Sequence, residues 1–211
     1  MKKYELTQNS IEIDNRTLYQ IRAFKDFGSV KKGDLGGYIE FEKNLSHNGN
    51  CWVSENAWVY GKARIFGDAQ VYGKARVFED AQVYGDAQVF RNAQVSGNAR
   101  VYGNVQVFEN ARIYGDAQVY DNAYVFGSAQ VSGNVHVSGN AHVSGNVQVF
   151  ENAHVYGDAH LGNVLIDFDC SFDPYKTLKE ILNYPEILPV LSGLNKNLDK
   201  LISTILTKTG T

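Results

Sequence analysis

The sequence predicts an all-β solenoid in which six-residue repeats form a parallel β-helix. Aliphatic residues recur at every sixth position from Val53 to Leu161. A second row, of alanine with occasional valine, follows four residues behind and runs from Ala57 to Ala159. Neither row contains an insertion or a deletion. A fixed short period held over so many repeats is the sequence signature of a solenoid.

Each hexad has two halves that favour different backbone conformations. In the hexad 83–88, Val-Tyr-Gly-Asp-Ala-Gln, the alanine and the next valine stand two residues apart, so both point to one side of a short strand. The Gly-Asp pair tolerates turn conformations and predicts a corner. Because so short a strand cannot bury its apolar side alone, the hexads must coil and stack with valine on valine and alanine on alanine.

The pattern divides the chain into three parts: an N-terminal β-rich cap over residues 1–50, the β-helix over 51–164, and a C-terminal helical tail over 165–211. Pro174 stands at an early position of a predicted short helix over about 174–182. A second helix is predicted over about 194–207, since its apolar residues share one face. The apolar stripe of this second helix would either cover the open end of the coil or join copies of the chain. Its candidate oligomerisation residues are Leu194, Leu198, Leu201, Ile202 and Ile205.

Composition excludes several classes of function. The 20 Lys and Arg nearly balance the 23 Asp and Glu, so a broad basic surface for nucleic acid or anionic membrane is not expected. The N-terminus lacks the apolar run of a signal peptide, and no stretch is long enough to cross a bilayer, so we expect a cytoplasmic protein. Cys51 stands in a slot of small residues and is expected to be a buried structural thiol. No metal or cofactor is predicted.

The hexads resemble those of the hexapeptide-repeat superfamily, and that resemblance implies a left-handed coil of three hexads, or 18 residues, per turn. The segments 20–27, 33–39, 44–46 and 49–53 also look like the head of YdcK-like proteins and of prophage-type hexapeptide-repeat proteins of unassigned role. Tyr, Phe or Ser directly follows the aliphatic residue here, where the superfamily has Gly or a small or acidic residue. This departure weakens any transfer of acyltransferase activity.

Aromatic residues directly follow most of the aliphatic ones and should point outward near the corners. Residues 18 apart should stack, so the rings form ladders along the prism edges. Such stacking alone accounts for the rings, but an aromatic stripe of this extent is also typical of a binding surface. The candidate partner-binding residues are Phe90, Phe108, Phe126, Tyr84, Tyr102 and Tyr120.

Four histidines are the sharpest chemical feature of the sequence. His136 and His154 should share one column, and His142 and His160 a neighbouring one. They are the candidate catalytic residues, because hexapeptide acyltransferases use a histidine general base and imidazole pairs bind transition metals. Yet they replace Gln in its slot, with no carboxylate in that row to orient them. No loop that could help to hold an acyl-CoA interrupts the repeats.

These observations favour a non-enzymatic scaffold or binding protein that presents a rigid face to a protein partner. A phage-encoded inhibitor of a host system would fit this description, and the chain could form a dimer or trimer through the β-helix face or the C-terminal helix. The alternative is a trimeric, acyl-CoA-dependent acyltransferase. A third hypothesis, a polymer that stacks end to end, is disfavoured if the helical tail covers one end.

Overall fold

The repeats coil into a solenoid of short parallel strands. The computed structural model describes residues 2–162 and the backbone of residues 165–166 and 171–172. Residues Met1–Ser171 form one compact unit. A single 3-10 helix, Glu42–Asn44, is found among the described residues. The strands are β1 Tyr4–Ile13, β2 Arg16–Ala23, β3 Leu35–Ile39, β4 Trp52–Val53, β5 Trp58–Val59, β6 Arg64–Ile65, β7 Gln70–Val71, β8 Arg76–Val77, β9 Gln82–Val83, β10 Gln88–Val89, β11 Gln94–Val95, β12 Arg100–Val101, β13 Gln106–Val107, β14 Arg112–Ile113, β15 Gln118–Val119, β16 Tyr124–Val125, β17 Gln130–Val131, β18 His136–Val137, β19 His142–Ser144, β20 Gln148–Val149, β21 His154–Val155, β22 His160–Gly162, β23 Leu165–Ile166 and β24 Ser171–Phe172.

The strands stack into three faces. Face 1 has the order β3-β5-β8-β11-β14-β17-β20-β23, face 2 the order β4-β7-β10-β13-β16-β19-β22, and face 3 the order β6-β9-β12-β15-β18-β21. Partners in each face stand 18 residues apart for most of the coil, as Gln88 pairs with Gln70 on one side and Gln106 on the other. The predicted all-β solenoid of 18-residue coils is confirmed, and the left-handed sense of the coil stays a prediction.

The interior consists of the two small-residue rows. The side chains of Val89 and Ala87 are completely buried, and every other member of the two rows from Val53 to Leu161 is also buried. Between the coils, the amide of Gln88 donates to the carbonyl of Val105 at 2.8 Å, and that of Phe90 to Val107 at 2.9 Å. Such bonds recur from coil to coil as far as His142, and they satisfy the backbone groups of strands that are only two residues long.

Each corner contains one residue with positive φ, two positions after the aliphatic residue. Glycine holds most of these positions, as at Gly97 with φ +68°. Some corners instead hold a charged residue, such as Glu79 with φ 60° and Asp121 with φ 62°. The carboxylate of Glu79 accepts a hydrogen bond from the amide of Gly97 at 2.5 Å, and Asp121 accepts one from Gly139 at 3.1 Å. These bonds to the next coil offset the left-handed strain.

The N-terminal strands continue face 1 rather than standing apart from it. Strand β1 pairs antiparallel with β2, and β2 with β3. Strand β3 pairs parallel with β5, which places Ile39 against Val59, and Leu45 forms a bridge to Ile65 on face 3. Ile39 and Leu45 are buried. Strand β3 and Leu45 therefore extend two of the faces, although the hexad pattern is absent there.

Two side chains close the interior at the N-terminal end. The hydroxyl of Tyr4 lies 2.7 Å from the carbonyl of Glu42 and 2.8 Å from that of Leu45. The ammonium of Lys3 donates to the carbonyl of Cys51 at 2.8 Å and lies 3.3 Å from its sulfur. Burial lowers the pKa of Lys3 and raises the pKa of Cys51. Cys51 is a buried free thiol, as expected. Its contacts with Lys3 help to close the N-terminal end of the interior.

The predicted C-terminal helices over about 174–182 and 194–207 lie outside the described residues, together with the five candidate oligomerisation residues of the second helix. Their helical structure stays a prediction. Within the described ranges, no helix has the length and apolar character needed to cross a bilayer.

Candidate functional site

Face 2 differs from the other two faces in the charge of its outward side chains. Each strand presents two outward residues, one before and one directly after the buried aliphatic residue. On the four coils from β7 to β16, all the outward residues are uncharged. They are Gln70, Tyr72, Gln88, Phe90, Gln106, Phe108, Tyr124 and Phe126. Face 2 therefore combines a column of three glutamines and Tyr124, here called the amide column, with a column of aromatic rings.

The aromatic column of face 2 is a continuous stack. The rings of Tyr72 and Phe90 have centroids 4.9 Å apart, those of Phe90 and Phe108 5.0 Å, and those of Phe108 and Phe126 4.9 Å. Their planes differ by no more than 7°. All four rings are half-buried by their neighbours in the stack and the adjoining amides. Because each ring is fixed by the rings above and below, the column is a rigid surface that loses little conformational entropy on binding.

The first ring of this stack is hydrogen-bonded to one glutamine of the neighbouring column. The hydroxyl of Tyr72 donates to the side-chain oxygen of Gln88 on the next coil at 3.3 Å. Burial raises the pKa of Tyr72, so its hydroxyl stays protonated and able to donate. On face 1 the hydroxyl of Tyr114 makes the same bond to Gln130 at 3.4 Å. The rings that follow a strand therefore lean back over the face to which that strand belongs.

The six candidate partner-binding residues fall on two faces. Phe90, Phe108 and Phe126 belong to face 2. Tyr84, Tyr102 and Tyr120 form a stack on face 3, with centroids 4.9 and 5.2 Å apart. The stacking that the sequence predicts is present on both faces, but the outward column beside the tyrosines carries charge.

Arginines distinguish faces 1 and 3 from face 2. Arg76 and Arg112 stand in the outward column of face 1, and Arg64 and Arg100 in that of face 3. Around face 2, charge is confined to the corners, where Arg91 and Glu109 form an ion pair at 3.1 Å. An uncharged centre with a charged rim is the usual composition of a protein interface.

The four histidines form the two pairs that the sequence predicts. His136 pairs with His154 on face 3, with ring centroids 4.9 Å apart, and His142 pairs with His160 on face 2, with centroids 4.5 Å apart. Burial lowers the pKa of His136 and of His142, and the neighbouring imidazole lowers each pKa further. Folding therefore favours the neutral form of His136 and of His142.

This arrangement predicts that acid destabilises the last coils. The pKa of His136 and of His142 lies below its unfolded value, near 6.5, so their contribution to stability is present above that pH. It is lost as the pH falls through 6.5 and then through the lower folded pKa. We expect the Tm to fall between about pH 7.5 and about pH 5.5. Replacing all four histidines by glutamine, the residue most common in this slot, should make that fall smaller; an equal fall in both proteins would contradict the prediction.

Asparagine ladders at the corners are a feature that the sequence reasoning missed. The side-chain amide of Asn104 donates to Asn122 at 3.0 Å, Asn122 to Asn140 at 3.2 Å, and Asn140 to Asp158 at 2.9 Å. In the sequence, the Gly-Asn and Gly-Asp pairs indicate turns only. Their 18-residue spacing is the signal that could have revealed the ladder. The hydrogen bonds link the side chains of successive coils and so stabilise the stacking at this corner.

The fifth histidine, His47, lies in an open groove of about 940 Å³ between the 3-10 helix and β6. Its Nδ1 accepts a hydrogen bond from the amide of Lys3 at 3.1 Å. Its Nε2 then carries the proton and donates to the carboxylate of Glu42 at 2.9 Å. Since both ring nitrogens are engaged, His47 supports the closed end of the coil and is not placed to take a proton from a substrate.

No group of three or more His, Cys, Asp and Glu side chains within the described part of the chain is arranged to hold a metal ion.

Two comparisons with known proteins agree with this architecture. Residues 77–175 match the family described as Bactofilin, polymer-forming cytoskeletal. A stretch of 79 residues is 38% identical to the protein of Escherichia coli (strain K12) named Uncharacterized acetyltransferase YdcK. That match covers 33% of this chain and 24% of the relative, so the chain spans about a quarter of the relative's length. Both similarities, like the three parallel faces, fit a hexapeptide-repeat β-helix.

Proposed function

We propose that this protein is a non-enzymatic structural scaffold whose copies associate through face 2. The observation that carries the proposal is the absence of charge among the eight outward residues of that face between Gln70 and Phe126, together with its four stacked rings. Monomeric proteins seldom leave a rigid aromatic surface of this kind uncovered. Association would cover the rings at little entropic cost, because the stack is already ordered.

A second copy of the chain is the partner that this surface suits best. A glutamine amide carries both a donor and an acceptor, so the amide column is complementary to itself. If face 1 or face 3 packed on its own copy, like-charged arginines would approach one another, which is unfavourable. Face 2 has no such arginine within its four central coils. The description of the similar family as polymer-forming supports self-association as the role of the fold.

The extent of the assembly depends on a second contact. A twofold contact through one face closes at two copies, and a longer assembly needs another surface. The candidate oligomerisation stripe, Leu194 to Ile205, is the proposed source of that contact, and it leaves a dimer, a trimer or a polymer open. A cytoskeletal role in the cytoplasm would fit such a scaffold. Neither comparison supports a phage-encoded inhibitor of a host system.

The first test removes the ring stack from face 2. In the variant Phe90→Ser, Phe108→Ser and Phe126→Ser, the half-buried rings are lost while the buried valines and alanines remain. We expect sedimentation velocity to show a loss of self-association, because the contact surface loses its aromatic area. The matched control is Tyr84→Ser, Tyr102→Ser and Tyr120→Ser, which removes the same number of stacked rings from face 3.

The control separates association from folding. Both variants lose ring stacking and should lose similar stability, so their Tm values should fall together. Only the face 2 variant should become monomeric. If both variants self-associate like the unaltered chain, or if the face 3 variant alone becomes monomeric, association through face 2 is contradicted.

The second candidate function is an acyl-CoA-dependent acyltransferase, which the name of the E. coli relative favours. His136, His142, His154 and His160 would then supply the general base, and acetyl-CoA should raise the Tm by binding the folded state. A His142→Ala variant should lose acetyl transfer. An unchanged Tm in excess acetyl-CoA would leave the scaffold as the better account.

A further inference from the structure

The ring stack of face 3 has a missing member. Phe66, Tyr84, Tyr102 and Tyr120 follow one another with centroids 4.6, 4.9 and 5.2 Å apart and planes within 6°. On the next coil the same position is Ser138, and one coil further it is Tyr156. The stack is therefore interrupted for one coil and then resumes.

A cleft occupies the place of the missing ring. It has a volume of about 180 Å³ and is lined by Tyr120 on one side, Tyr156 on the other, Ser138 at its floor, and the imidazoles of His136 and His154. Since neighbouring coils are about 4.8 Å apart, a ring midway between the two tyrosines would lie about 4.8 Å from each. That separation is within the range of about 4.5–7 Å at which aromatic rings stack favourably.

The walls of the cleft add polar recognition to this stacking. The ring of His136 meets Tyr120 edge-on, with centroids 6.2 Å apart and planes at 85°, so it stands beside the missing position and does not replace the stacked ring. His154 lies beside it on the next coil, with centroids 4.9 Å apart. A neutral imidazole has one nitrogen that donates and one that accepts a hydrogen bond. The pair is therefore suited to a ring that carries a hydroxyl or an N–H group.

We propose that the cleft at Ser138 is a binding site for one planar aromatic ring with a polar substituent, such as a phenol. The bound ring stacks between Tyr120 and Tyr156 and restores the ladder, and its polar group bonds to His136 or His154. The ring belongs either to a free small molecule or to a tyrosine side chain of another protein molecule. This site lies on face 3 and does not depend on association through face 2.

The test is a titration with p-cresol, the side-chain analogue of tyrosine, followed by the NMR signals of the histidine rings. We expect saturable shifts at His136 and His154. His142 and His160 are the internal control, because on face 2 the position one coil after Ser144 is Gly162, which has no ring to form the second wall of a slot. Their signals should stay in place, and shifts of equal size at both pairs would overturn the proposal.

Filling the cleft provides the second measurement. Ser138→Tyr should restore the stack, raise the Tm and abolish the p-cresol shifts. Ser132→Tyr is the matched control, because it inserts a ring between Tyr114 and Phe150 on face 1 and leaves the cleft open. If p-cresol still shifts His136 and His154 in the Ser138→Tyr protein, the cleft is not the site. If a copy of the chain supplies the ring, Ser138→Tyr also reduces self-association, whereas a site for a free small molecule leaves it unchanged.

Discussion

Replacing Ala99 by leucine should destabilise the solenoid more than any single change on its surface. Ala99 is completely buried and stacks between Ala81 and Ala117 in the interior beneath face 3. The three faces enclose the interior, so a larger side chain at this position can be accommodated only by displacing its neighbours. Overpacking of this kind costs about 1–3 kcal/mol, and we expect a value at the upper end in the free energy of unfolding measured with denaturant.

The matched control for this change is Ala99→Val. Valine already occupies the same slot at Val105, Val135 and Val147, one on each face, so the interior has room for a branched residue there. The valine variant should lose clearly less stability than the leucine variant. Equal losses would show that the interior is not a narrow, closely packed column, and the account of its small residues would be wrong.

The second large effect is expected at the corners, for Gly97→Ala. Gly97 has φ +68°, and a Cβ there would lie 2.7 Å from the amide nitrogen and 2.8 Å from the carbonyl oxygen of Gly115 on the next coil. The left-handed conformation costs an alanine roughly 1–2 kcal/mol. The backbone contact adds to that cost, because two stacked corners cannot both move aside without breaking coil-to-coil hydrogen bonds.

Gly157 separates the two contributions. It has the same φ of +68°, but within the described part of the chain no neighbouring atom lies within 4 Å of the position its Cβ would take. Gly157→Ala should therefore lose only the conformational part, and Gly97→Ala should be less stable by at least about 1 kcal/mol in denaturant unfolding. If Gly157→Ala is as destabilising as Gly97→Ala, contact between stacked corners does not limit the choice of residue there.

Most of the fold could be predicted from the sequence because one short period determines it. The two apolar rows identify the interior, and residues such as Gly97 identify the corners. The start of the coil could not be predicted in this way. Ile39 and Leu45 take interior positions, but the segment around them lacks the hexad, and its place in the coil depends on pairing with β5 and on a bridge to Ile65.

The candidate site was only partly visible in the sequence. The aromatic positions were identified, but Phe108 and Tyr102 were grouped together because each follows an aliphatic residue. Their separation onto two faces appears only when outward residues are sorted by the 18-residue coil, and the arginines then mark face 3 as charged. The cleft at Ser138 needed the ring geometry, since the sequence shows a missing aromatic but not the two tyrosines that bound the gap.

The most direct test of association through face 2 is disulfide trapping at Gln106. Strand β13 is the middle strand of face 2, so a thiol at position 106 lies near the axis of a twofold contact. Gln94 occupies the same slot on face 1 and is also half-buried, which makes Gln94→Cys the matched control. We predict that mild oxidation converts the Gln106→Cys protein to a covalent dimer and leaves the Gln94→Cys protein largely monomeric. Equal cross-linking of both variants, or cross-linking of Gln94→Cys alone, would contradict face 2 as the surface through which the scaffold assembles.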